Sequence, residues 1–222
     1  MVQPPFDEAL IERVTRRVVS RLAQFPSVDS PEKMLVPVSI SVRHLHLCRE
    51  HVDILYGPGF ELESRNELYQ QGEFAAKQVV TLVGPRMRCL GEVRVLGPTR
   101  EKTQVEVSRT DAIFLGIDPP VSPSGNHEGS EGLILVGPVG VVHLKRGVIL
   151  ANRHIHLSTT SAQKWGIKDN QTVKVRIETS KKTLLEDCQA RVSESFADEM
   201  HLDTDDGNAC GLRGGEKVEI VL

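Results

Sequence analysis

The chain repeats itself. Val42-Arg43-His44-Leu45-His46-Leu47 recurs as Asn152-Arg153-His154-Ile155-His156-Leu157, a step of 110 positions from 44 to 154. The echo continues in the same order: a Gln-led run at 78–82 is matched at 171–175, 92–95 at 189–192, and 105–112 at 200–207. Over this stretch the step has shortened to 95, from 106 to 201. One half therefore carries extra loop residues, and two related units with a pseudo-two-fold relation are the simplest architecture.

Within the units the pattern is that of strands. Short β-like runs lie at 35–47, 78–83, 91–95, 103–108, 133–136, 140–144, 148–157, 172–178, 184–193, 200–203 and 217–221. Gly-Pro pairs at 57–58, 84–85, 97–98 and 137–138 punctuate them, and a polar loop spans 119–132. Many short strands with few helices between them predict a mainly β fold of compact barrels or sandwiches. Aromatic residues make up only 4% of the chain, so its core must be aliphatic. The N-terminus reads differently. Phe6, Leu10, Val14, Val18 and Leu22 recur every fourth residue, with Asp7 and Glu8 early and Arg16, Arg17 and Arg21 late. This predicts an amphipathic helix over 4–25 and a linker over 26–33. Such an extension packs on its own domain, on a second subunit or on a separate partner.

Charge and cysteine usage narrow the function classes. A net charge of −3 lacks the basic footprint of a dedicated nucleic-acid binder. No apolar run is long enough to span a bilayer and no secretory pattern opens the chain, so a cytoplasmic, membrane-free protein is expected. Cys48, Cys89, Cys188 and Cys210 form no CxxC pair and read as reduced structural thiols. Cys48 is the best placed as a nucleophile, but its repeat counterpart is Ser158, which favours a structural role.

The histidines carry the chemistry. Residues i and i+2 of a strand share a face, so His44 with His46, and His154 with His156, each aim two imidazoles into one space. One such pair is unremarkable as a solvated strand, but duplication at matched positions favours metal binding. The repeat nominates a third ligand in each half, Glu106 and His201. Three His and Glu donors leave coordination positions open, as in a catalytic zinc site, although Co, Mn and Fe suit the same donors. Arg43 and Arg153 precede the pairs, while Arg100 and Arg109 flank the Glu106 run. Guanidinium groups beside metals suit a phosphate or acyl phosphate. Walker, GxGxxG and GxSxG motifs are missing, which argues against nucleotide-dependent kinases and serine hydrolases.

The segments SVRHLHL, KTQVEVSRTDA, ANRHIHLS and HLDTDD, with GPGFEL at 57–62 and QGEFA at 71–75, resemble the PduL-type phosphate propanoyltransferases, the phosphotransacylases of bacterial microcompartments. The likeness runs over 35–222. It implies two interleaved β-barrels capped by short helices, one from 35–43 with 152–222 and the other from 44–151, with 1–34 as a separate extension. It implies two zinc ions, one on His44, His46 and Glu106 and the other on His154, His156 and His201, with Arg100 binding phosphate. The implied reaction is reversible exchange of coenzyme A and phosphate on a short acyl group. Acyl-CoA, phosphate and acyl phosphate would be its ligands, and residues 1–25 would address the enzyme to shell or cargo in the compartment lumen. A homodimer is expected from the apolar stripe of the extension. A zinc-dependent hydrolase and a non-catalytic metal-binding component are the competing readings.

Overall fold

The structure is a computed structural model, and it describes residues 7–22 and 32–222. The chain divides into two units, 1–33 and 34–222. The first contains α1 (Glu8–Leu22), whose start is fixed by Asp7, its carboxylate accepting from the Ala9 N–H at 3.1 Å. Leu10, Ile11, Val14, Val18 and Val19 of α1 are all exposed. The expected helix ends at 4–6 and 23–25, and the linker up to 31, lie outside the described residues. Among the described residues no helix is long and apolar enough to cross a membrane.

The second unit is mainly β and contains two closed six-stranded barrels, as the repeat and the resemblance predicted. In chain order its elements are β1 (Met34–Ser41), β2 (His44–His46), α2 (Arg49–Tyr56), β3 (Ser64–Glu67), β4 (Phe74–Val83), β5 (Cys89–Gly97) and β6 (Gln104–Glu106). There follow α3 (Arg109–Leu115), β7 (Val121–Ser122), β8 (Glu131–Val136), β9 (Val141–Ala151), β10 (His154–Leu157) and α4 (Thr159–Trp165). The chain closes with β11 (Thr172–Ile177), β12 (Thr183–Val192), β13 (Glu199–Asp203), α5 (Thr204–Cys210) and β14 (Lys217–Val221). One barrel runs β1-β13-β10-β12-β11-β14 and closes on itself. The other runs β4-β5-β2-β6-β9-β8 and closes through the β8–β4 ladder.

The pairing explains why the barrels interleave. β1 pairs parallel with β13 and antiparallel with β14, and β9 makes the same two kinds of pair with β6 and β8. β1 and β9 are thus equivalents, and each passes at once into an HxH strand of the other barrel, β2 or β10. Each barrel has its own core. Leu45, Val95, Val105, Leu135 and Val148 centre one, and Val36, Ile155, Val175, Met200 and Ile220 the other. Strand β11 alternates exposed and buried residues throughout, the period-2 signature of a barrel wall wet on one side.

Two expected boundaries shift. The run 35–47 breaks at Val42-Arg43, where the chain leaves one barrel for the other. The runs 140–144 and 148–157 instead join through 145–147 and break at Asn152-Arg153. The join works because the β8–β9 register slips there, with Gly147 at φ +117°, and an added Cβ would sit 2.6 Å from the Thr103 carbonyl oxygen.

Both crossovers are pinned alike. Arg43 Nε donates to Asp111 at 2.8 Å and Nη2 lies 2.7 Å from the same carboxylate. Arg153 grips Asp206 at 2.9 and 2.7 Å. Asp111 and Asp206 stand at matching positions of α3 and α5. Arg43→Met leaves the buried Asp111 without its cation, and we expect it to lower unfolding free energy by about 2 kcal/mol, measured by urea denaturation.

Candidate metal centre

Each HxH strand is flanked by the strand that brings its third donor. In the β2–β6 ladder His44 faces Glu106 and His46 faces Gln104; in the β10–β13 ladder His154 faces His201 and His156 faces Glu199. The candidate ligand atoms of His44, His46 and Glu106 all lie within 4.8 Å of one another, as do those of His154, His156 and His201. Strand spacing alone produces this clustering, because i and i+2 share a face and the opposite residue of the neighbouring strand shares it too.

The donor atoms fit a metal. His44 Nδ1 lies 2.9 Å from the Val42 carbonyl oxygen and His154 Nδ1 2.9 Å from that of Asn152. An N–H donated there leaves each Nε2 as a lone pair facing the cluster. His46 Nδ1 and both ring nitrogens of His156 are buried without a hydrogen-bond partner, while His201 Nε2 lies 3.1 Å from Glu199 Oε2. Orphaned nitrogens of this kind are costly unless another ligand satisfies them. Burial, aided by Arg100 and His44, pushes His46 down to about 2. Burial with His201 and His154 takes His156 to about 2, and burial with His201 takes His154 to about 4. These imidazoles are neutral, the form that ligates. Burial alone would raise Glu106, but its polar surroundings, the Arg100 guanidinium and the Gln104 amide among them, hold it below its ordinary value.

Both clusters line one open cleft of ≈ 630 Å³. Where they adjoin, a small pocket of ≈ 20 Å³ is bordered by His44, Glu106, His154 and His201 together. Arg100 reaches the cleft from the loop after β5, with Nη2 3.2 Å from Glu73 Oε1 and Nη1 3.2 Å from Ser124 Oγ. The other arginines differ. Arg43 lines the cleft but is committed to Asp111, Arg153 to Asp206, and Arg109 is paired with Asp118. Cys48 is half-buried ahead of α2, accepts from Thr103 Oγ1 at 3.4 Å and does not border the cleft.

Several cleft residues escaped the sequence reading. Phe196 stacks on His156 at 4.1 Å, and the Arg191 guanidinium lies over the Phe196 ring, 5.8 Å from its centroid. Gln70 exchanges two hydrogen bonds with the Ala197 backbone, both 3.2 Å, and reaches Glu199 at 3.4 Å. Arg94 also lines the cleft, and its repeat partner is not the one that residue identity suggests. Matching 92–95 to 189–192 equates Arg94 with Arg191, yet Arg94 faces His44 while Gln189 faces His154. The true match is displaced by two residues. A two-residue slip keeps every side chain on its face, so the hydrophobic pattern cannot detect it.

A barrel pair that turns two His-rich clusters and a guanidinium toward one cleft has the outline of an enzyme for a small anionic substrate. The family model described as phosphate propanoyltransferase matches residues 37–213. The chain is 48% identical over 185 residues to the phosphate propanoyltransferase of Thermotoga maritima, covering 83% of this chain and 88% of that protein. It is 44% identical over 211 residues to that of Lachnoclostridium phytofermentans (95% and 98%) and 45% over 220 residues to that of Planctopirus limnophila (95% and 90%). The chain belongs to the phosphate propanoyltransferase family of acyltransferases, and the resemblance read from its histidine segments is borne out.

Proposed function

We propose that this chain exchanges coenzyme A and phosphate on a propanoyl group, reversibly converting propanoyl-CoA and phosphate into propanoyl phosphate and coenzyme A. The observation that carries the reading is the convergence of both ligand clusters and Arg100 on one cleft, in a chain of this family. His44, His46 and Glu106 would hold one divalent metal and His154, His156 and His201 a second, with zinc suited to these donors. When bound, such ions supply Lewis-acid charge for the phosphate oxygens and the thioester carbonyl. The two barrels, 35–43 with 152–222 and 44–151, act as the domains that each contribute one cluster.

The chain's own residues then have simple tasks. Arg100 exchanges its Glu73 contact for phosphate and holds it by parallel N–H donors. The cleft walls keep phosphate and thioester together, so that the attack is effectively unimolecular. A phosphate oxygen bonds to the carbonyl carbon, the C–S bond breaks, and the electron pair leaves with the coenzyme A thiolate. No protein nucleophile is needed, in keeping with Cys48 lying away from the cleft. The test is thiol release from propanoyl-CoA with phosphate varied. Release that saturates with phosphate and yields propanoyl phosphate supports transfer; release indifferent to phosphate would establish a hydrolase instead.

Residues 1–25 act as an address for a bacterial microcompartment, and the chain works as a homodimer, its self-association driven by the apolar stripe of the extension. The division at 33/34 and the exposed apolar residues of α1 support the first part. Deleting 1–33 is expected to leave kcat/KM within about twofold of the full chain while abolishing co-purification with shells. Lost activity would assign the segment to the catalytic fold.

A further inference from the structure

The first ligand cluster is braced by a side chain the reaction scheme does not use. Gln104 is 1% exposed, two residues before Glu106 and opposite His46. Its Oε1 accepts from the Gly125 N–H at 2.7 Å and from His127 Nε2 at 3.1 Å. Its Nε2 donates to Glu106 Oε1 at 2.7 Å and to Ser124 Oγ at 2.8 Å. A carboxamide has two donors and two lone pairs, and here all four are engaged. The backbone N–H of Gly125 can only donate, which fixes the amide oxygen toward it and the NH₂ toward Glu106. Ser124 Oγ also receives Arg100 Nη1. One buried amide therefore joins the carboxylate, the turn at 124–127 and the guanidinium.

The second half shows the same position in complementary form. Glu199 stands opposite His156, two residues before His201, with Oε2 3.1 Å from His201 Nε2. Where the third donor is a carboxylate its neighbour is an amide donor, and where it is an imidazole its neighbour is a carboxylate. Packing alone does not require this exchange of polarity.

We propose that Gln104 is a positioning residue. It holds the Glu106 carboxylate by Oε1, leaving Oε2 turned to His44 at 3.6 Å, and through Ser124 sets Arg100 against that cluster. The inference rests on the metal-centre reading proposed above. The test is metal titration of the full metal-free chain with zinc, alongside phosphate kinetics. Gln104→Met is expected to weaken one of the two zinc sites about 10- to 100-fold, leave the other unchanged and raise the KM for phosphate. Ser124→Ala, which cuts only the arm to Arg100, should raise that KM with both zinc affinities intact. A wild type that binds no zinc defeats the metal-centre reading itself. A wild type with two sites and a folded Gln104→Met with both unchanged overturns this inference alone. A measurement on the wild type covers a variant that fails to fold. The Gln104 side-chain amide protons should exchange slowly with solvent and shift in NMR spectra on zinc addition; fast exchange without a shift overturns the proposal.

Discussion

Glu106→Ala is expected to reduce bound divalent metal from about two to about one per chain and phosphate-dependent thiol release by roughly 1000-fold or more. The expectation follows from the donor count. His44 and His46 alone are two neutral ligands, one short of the three protein donors that an open zinc site needs. Glu106 is also the only carboxylate of its cluster, held below its ordinary value despite its burial. The second cluster is built from β10 and β13 and should keep its metal, which makes it an internal control. His201→Ala should give the converse pattern. Metal analysis reads the first effect, and a thermal melt with and without zinc reads it independently. Wild type gains about 2.7 kcal/mol for each site at a hundredfold excess over Kd, and Glu106→Ala should lose one such increment. Undiminished metal content would remove Glu106 from the ligand set.

The two candidate donor clusters were legible because a strand converts sequence spacing directly into geometry. His44 and His46 had to share a face, and the repeat pointed to Glu106 and His201 without any knowledge of the ladders. Arg43 and Arg153 alternate with the histidines, and their turning aside to Asp111 and Asp206 follows from the same period. The helices were less visible. At seven residues, α3, α4 and α5 are too short to display a 3.6-residue period. They were nonetheless spelled out by their ends: Ser108 and Gly116, Ser158 and Gly166, Asp203 and Gly211. Each is a capping side chain followed eight positions later by a left-handed glycine. Gln104, Gln70 and Phe196 had no such signature. Their roles depend on how the loops at 68–73, 122–127 and 193–198 fold back over the barrel mouths, and the local sequence pattern does not encode those returns.

Arg100 distinguishes the halves more sharply than the candidate ligands do. The stretch between the residue facing the second His and the brace has equal length in each half, from Leu96 to Gln104 and from Arg191 to Glu199. Its ends correspond: the Cys48 N–H donates to Thr103 Oγ1, and the Ser158 N–H to Asp198 Oδ1. On this match Arg100 falls opposite Ser195, so only the first half presents a cation from this loop. Arg100→Ala is therefore expected to lower kcat/KM for phosphate about 100-fold, equivalent to about 3 kcal/mol for two charged hydrogen bonds, with metal content unchanged. Arg100→Lys restores the charge but not the fork and should recover only part of the loss. Glu73→Gln supplies the opposite sign. Glu73 holds the guanidinium across a half-exposed 3.2 Å contact that phosphate would have to displace on the proposed reading, so its neutralisation should lower the phosphate KM two- to threefold. A phosphate KM that ignored both Arg100→Ala and Glu73→Gln would mean that the anion is held elsewhere in the cleft, with Arg191 and Arg94 the next cations to test.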